Sequence, residues 1–114
     1  MEKPIRTLFK FKHYFDTFFN QQKPSVQEKI DYALQLIMYN ERVSEKFLKF
    51  IEDGLFEIRA EVGSDIFRVF CCFDAGRLVV LMNGFQKKTQ KTPKEEIKLA
   101  KKLMKEYFEE KKNK

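Results

Sequence analysis

Two arginines and a run of lysines are the residues of this sequence best suited to chemistry. Arg59 lies in LFEIRAEV and Arg68 in IFRVFCCF, while Lys87, Lys88, Thr89 and Lys91 crowd into NGFQKKTQKTP. A guanidinium presents a planar fork of donors that matches phosphate through paired hydrogen bonds, and lysine ammoniums add compact charge. Five such cations, if folding gathers them, make a polyanion site. Their setting supports that idea: residues 1–85 balance 12 Lys/Arg with 12 Asp/Glu, whereas residues 86–114 hold 11 Lys and 5 Glu and so carry the whole net charge of +6. A localised basic excess is the footprint of a partner such as nucleic acid, an acidic protein or a membrane surface; its bland counterpart is a solvated helix face.

Gathering the cations is the task of the elements. LFEIRAEV alternates, with Phe56, Ile58, Ala60 and Val62 on one face; IFRVFCCF is nearly continuous and suits a central strand; RLVVLMNGF closes a three-strand antiparallel meander, with hairpin breaks at GSD and DAG. Joining Val62 to Asp65 across Gly63-Ser64 sets Ala60 opposite Phe67 and Ile58 opposite Val69, so both apolar sets share a face and Arg59 stands opposite Arg68. A one-residue slip would put Arg68 among core residues, at high cost for a charge. Facing arginines need compensation, either from Glu57 or Glu61 in a surface ion-pair cluster or from a bound phosphate. Antiparallel geometry brings the end of the Arg59 strand, the start of the Arg68 strand and the approach to Gln86 to one end of the meander. Lys87, Lys88 and Lys91 then arrive beside the arginines, next to a helix N-terminus whose dipole favours anions.

The remaining segments supply the scaffold. PIRTLFKFKHYFDTFF opens as a first strand, expected at the meander's edge, and becomes helical near Tyr14. After Pro24, Ser25 and Glu28 have capping-box spacing, and Val26, Ile30, Ala33, Leu34, Ile37 and Met38 form a helical stripe over 25–39. SEKFLKFIEDG reads as one helical turn ending near Gly54. The last helix is expected to start with Thr92 as N-cap, Pro93 at its first position and Glu95 closing a capping box, to bury Ile97, Ala100, Met104 and Tyr107, and to fray after Phe108, leaving 109–114 as a tail. The whole, residues 1–114, is one α+β domain in the order β-α-α-β-β-β-α, with its thirteen Phe as core material.

Other candidates are weaker. Adjacent Cys71 and Cys72 point to opposite faces of a strand and read as buried reduced thiols. The single histidine, His13, reads as a surface or helix-start residue, and Tyr107 as a packing residue. No stretch approaches the ~20 apolar residues of a membrane span, and the N-terminus lacks a signal peptide's apolar region, so a cytoplasmic location is expected.

GLFEIRAEVGSDIFRVFCCFD followed by LVVLMNGFQKKTQKTPKEEIKLAKKLMKEY resembles the HigB-like, phage-derived branch of the RelE/ParE toxin superfamily of type II toxin-antitoxin systems, and the likeness covers nearly the whole chain. The resemblance implies a RelE-like fold, with helices packed on one face of a small, twisted antiparallel sheet. It also implies cleavage of mRNA in the ribosomal A site, without a metal or cofactor, and inhibition by a HigA-like helix-turn-helix antitoxin. Arg59 and Arg68 match the family's strand arginines, and Lys87, Lys88, Thr89 and Lys91 its basic motif. In that chemistry a ribose 2′-OH attacks the adjacent phosphate; Arg59 and Arg68 stabilise the developing charge, Lys87 or Lys88 acts as base, and Lys91 and Thr89 contact RNA. Several HigB-type enzymes carry site histidines that this chain lacks, which leaves the general acid open. The alternatives are a ParE-like inhibitor of DNA gyrase and a non-catalytic RNA-binding or degenerate toxin module, since one fold can carry any of these.

Overall fold

Hairpin turns lay down most of the sheet. The computed structural model describes residues 3–87 and 93–113. Strands β2 (Leu48–Glu52), β3 (Leu55–Val62), β4 (Asp65–Asp74) and β5 (Leu78–Lys87) follow one another as antiparallel neighbours. Strand β1 (Thr7–Lys10) completes a five-stranded sheet of order β1-β5-β4-β3-β2. Helices α1 (Tyr14–Asn20) and α2 (Pro24–Tyr39) lie between β1 and β2, and α3 (Lys94–Lys112) follows β5.

The α+β expectation holds, and so does β1 at the meander's edge, but the sheet is mixed. Strand β1 pairs with β5 in parallel, from Thr7 opposite Leu78 to Lys10 opposite Leu81. Parallel neighbours need a long crossover, and everything between these two strands supplies it. The helices also divide between two faces. Phe15, Phe18, Val26, Ile30, Ala33 and Ile37 of α1 and α2 meet Ile58, Ala60, Val69, Cys71 and Leu81 on one side. Ala100 and Leu103 of α3 meet Leu55, Phe70, Cys72, Val80, Met82 and Phe85 on the other. The cause is β4: Phe67, Val69 and Cys71 are apolar toward α1 and α2, while Phe70 and Cys72 are apolar toward α3, so each face needs a cover.

Local differences have local causes. The segment read as a helical turn is β2, because Asp53 and Gly54 take φ of +51° and +83° and make a two-residue hairpin turn into Leu55. Helix α2 starts at Pro24, whose fixed φ suits the first helical position; Lys23 is the N-cap without a side-chain bond, and the Ser25 box is displaced. Helix α3 starts after Pro93, and Thr92 lies outside the described residues. Its last turns persist to Lys112, past the expected fray, where Lys111 reaches both oxygens of Asp74 at 2.7 Å.

Candidate anion site at the sheet end

Arg59 stands opposite Arg68 in the β3–β4 ladder, within the register that pairs Ala60 with Phe67 and Ile58 with Val69. The face they share is the one α3 packs on, and that changes the character of the pair. Arg68 is 3% exposed and Glu57 1%, and the Arg68 Nη1 donates to Glu57 Oε2 at 2.5 Å. Compensation by Glu57 is therefore real, but it is a buried ion pair and not a surface cluster. Glu61 is exposed and takes no part among the described contacts. Arg59 is half-buried, two residues along the strand from Glu57 and on its face. Among the described residues, Glu57 Oε1 and the Nε atoms of Arg59 and Arg68 are buried without a hydrogen-bond partner. Buried polar atoms are usually hydrogen-bonded, so three on neighbouring side chains leave room here for polar partners such as water or an anion.

Strand β5 enters the same region through a bulge. Its ladder with β4 advances from Gly84 opposite Val69 to Leu81 opposite Cys71, which inserts one extra residue on β5. The bulge turns Asn83 toward α3, where its Nδ2 donates to the backbone oxygen and Oε1 of Glu96, each at 3.2 Å; its own Oδ1 is a fourth buried atom without a partner among the described residues. Phe18 of α1 packs against Gly84 on the opposite face, so closely that a Cβ there would fall 2.4 Å from its ring. Asn83 thus anchors the first turn of α3, and Gly84 admits α1. Glu95 and Glu96 occupy that first turn, so carboxylates already offset the helix dipole the sequence had offered to an anion.

The β5 backbone carries Lys87 to a position opposite Ile66, two pairs beyond Arg68 opposite Phe85. The expected convergence of Arg59, Arg68 and the β5 exit is present in the backbone. Lys88, Thr89 and Lys91, and the side chain of Lys87, lie outside the described residues.

The other candidates fall elsewhere. The Tyr107 hydroxyl donates to Asp74 Oδ2 at 2.7 Å, and its ring packs on Phe9 and Phe11. Asp74 closes the opposite end of β4, pairing with Leu78, so Tyr107 is a packing residue remote from the arginines. Burial and the Asp74 carboxylate push the Tyr107 hydroxyl up to about 12, while bonds from Lys111 and Tyr107 hold Asp74 below its usual range. His13 is the exposed N-cap of α1, stacked on Tyr14. Cys71 and Cys72 are buried free thiols on opposite faces of β4, with burial and neighbouring negative charge raising Cys72 to about 11. No group of three or more His, Cys, Asp or Glu among the described residues could hold a metal ion, and no described helix is long and apolar enough to cross a membrane.

Residues 17–105, which include both arginines, the bulge and most of α3, match the family model described as phage-derived protein Gp49-like (DUF891). The chain belongs to that family. The Gp49-like match bears out the phage-derived part of the resemblance read from the sequence. No curated protein matches the chain. The Gp49-like segment begins within α1, so β1 adds to the sheet from outside it.

Sequence reasoning placed Glu57 on the correct face but at the surface. The overlooked signal was the continuous apolar run of β4, which already required two covered faces. Asn83 was missed because a bulge leaves only a faint trace, here a glycine following a polar residue late in a strand.

Proposed function

We propose that this Gp49-like protein is the toxin of a type II toxin-antitoxin pair and acts as a HigB-like, ribosome-dependent mRNA endoribonuclease. The observation that carries this reading is Arg59 facing Arg68 midway along the β3–β4 ladder, two residues along β4 from the pair Ile66–Lys87 at which β5 leads into the basic segment containing Lys87, Lys88 and Lys91. The resemblance to RelE-like and HigB-like toxins and the phage-derived family support it. In the reaction the 2′-oxygen of a ribose bonds to the adjacent phosphorus, the bond to the 5′-oxygen breaks, the departing 5′-oxygen takes a proton from water, and a 2′,3′-cyclic phosphate and a 5′-hydroxyl result. Arg59, half-buried and outside the ion pair, is the arginine that touches a phosphate oxygen, and Arg68, paired with Glu57, supports it from beneath. Lys87 or Lys88 takes the 2′-OH proton as general base. Lys91 and Thr89 contact RNA. The partner that restrains the protein is a helix-turn-helix antitoxin.

Inducible expression in a bacterial host, with mRNA 5′ ends mapped for the unaltered protein and for Arg59→Ala, tests this directly. Cuts within reading frames from the unaltered protein, reduced about 100-fold by Arg59→Ala as for loss of one transition-state donor, are the expected result. Growth arrest with a DNA-damage response and no cuts would reassign the protein to gyrase inhibition.

A further inference from the structure

The Glu57 carboxylate has no role in the chemistry above, yet it is the most enclosed charged group at the site. It is 1% exposed, bonded to Arg68 through Oε2, and its Oε1 has no partner among the described residues. Arg59 follows it on the same strand face, directly opposite Arg68. Three charged side chains thus share one patch of ladder, and the two arginines differ: Arg68 is enclosed and paired, Arg59 is half-buried and outside the pair.

We propose that Glu57 is a positioning residue for the phosphate site, resting on the ribonuclease reading above. Its carboxylate anchors the Arg68 guanidinium beneath the site and cancels one of two facing positive charges. Arg59 is thereby left able to extend toward the phosphate without being driven off by Arg68. Glu57 touches no substrate atom and acts only through the arginines. A buried ion pair is poor evidence for stability alone, because apolar residues of similar volume often serve as well, and its place beside a second arginine, unpaired among the described residues, points to orientation.

The test is cleavage of mRNA on programmed ribosomes by the purified full chain, with kcat and KM measured across pH for the unaltered protein, Glu57→Gln, Arg59→Ala and the double variant, each checked for folding by circular dichroism. A positioning role predicts that Glu57→Gln lowers kcat at least tenfold with the shape of the pH profile kept. It also predicts that Arg59→Ala costs at least tenfold less in the Glu57→Gln background than alone, because the two act as a unit. Multiplying, independent losses would overturn it, as would unaltered kcat in Glu57→Gln. Disappearance of the acidic limb of the pH profile would overturn it too, by making Glu57 the general base. If Glu57→Gln does not fold, Glu57→Asp, which keeps the charge but withdraws it by one methylene, carries the same comparison. An unaltered protein that cuts no mRNA would remove the ribonuclease reading itself, a result distinct from each of the others.

Discussion

Arg59 and Arg68 look alike in the sequence and stand opposite one another in the sheet, yet burial gives them different consequences. Two positive charges directly opposite one another in a ladder are destabilising, so the pair needs the Glu57 carboxylate. Removing one member of a buried ion pair leaves the other uncompensated and typically costs ~3–5 kcal/mol. Arg68→Ala is therefore expected to lower the urea midpoint by that equivalent, whereas Arg59→Ala, outside the pair, costs about 1 kcal/mol. Replacing both partners, as Glu57→Leu with Arg68→Met, is expected to recover most of the loss. Equal midpoints for Arg59→Ala and Arg68→Ala would mean that Glu57 does not distinguish the two arginines. Because of this difference Arg59→Ala, and not Arg68→Ala, reports on chemistry without confounding it with folding.

Among the elements, most of what the sequence disclosed was periodic. Strands β3, β4 and β5, helix α2 and the Arg59–Arg68 register all follow from alternation, stripes and two hairpin turns. Strand β2 was hidden because LKFIE is too short and mixed to show a period, although the Asp53-Gly54 dipeptide after it is a strong hairpin signal. The side on which α3 packs was hidden because its stripe says only that it has an apolar face, not which sheet surface receives it. Two contacts that settle such docking can be tested. Gly84→Ala would drive a Cβ into Phe18, and it is expected to destabilise the fold by about 1–3 kcal/mol, as overpacking does, read as a lowered denaturant midpoint. At the other end, Asp74 is lowered in the folded state by Lys111 and Tyr107 and so contributes stability above the unfolded carboxyl value of 3.8, which is lost as pH falls through the still lower folded value. The unaltered protein should thus melt above Asp74→Asn at neutral pH, with the gap closing below pH 3.8. A gap that stays constant down to pH 2 would mean that the Asp74 contacts do not hold the end of α3.

For the whole molecule, the decisive property is the uneven placement of charge. The +6 net charge resides in residues 86–114, yet the described lysines of α3 are partly neutralised: Lys101 by Glu52 and Asp53, and Lys111 by Asp74. Glu95 and Glu96 offset charge at the helix start as well. If the α3 lysines formed the RNA surface, affinity would depend on a solvated helix face spread over the molecule. If the β5 exit forms it, the dependence concentrates in Lys87, Lys88 and Lys91. Each phosphate contact with a single strand contributes about −0.7 to the slope of log K against log salt. Changing Lys87, Lys88 and Lys91 together to Gln should therefore flatten that slope by roughly 2 in binding to a short single-stranded RNA, measured by fluorescence anisotropy between low and physiological salt. Changing Lys98, Lys102 and Lys105, exposed on α3, should leave the slope nearly unchanged. The reverse result would move the RNA surface to the helix and separate it from the arginines. Equal flattening by both sets would mean that RNA meets the basic C-terminal region as a diffuse field, with no site at the sheet end.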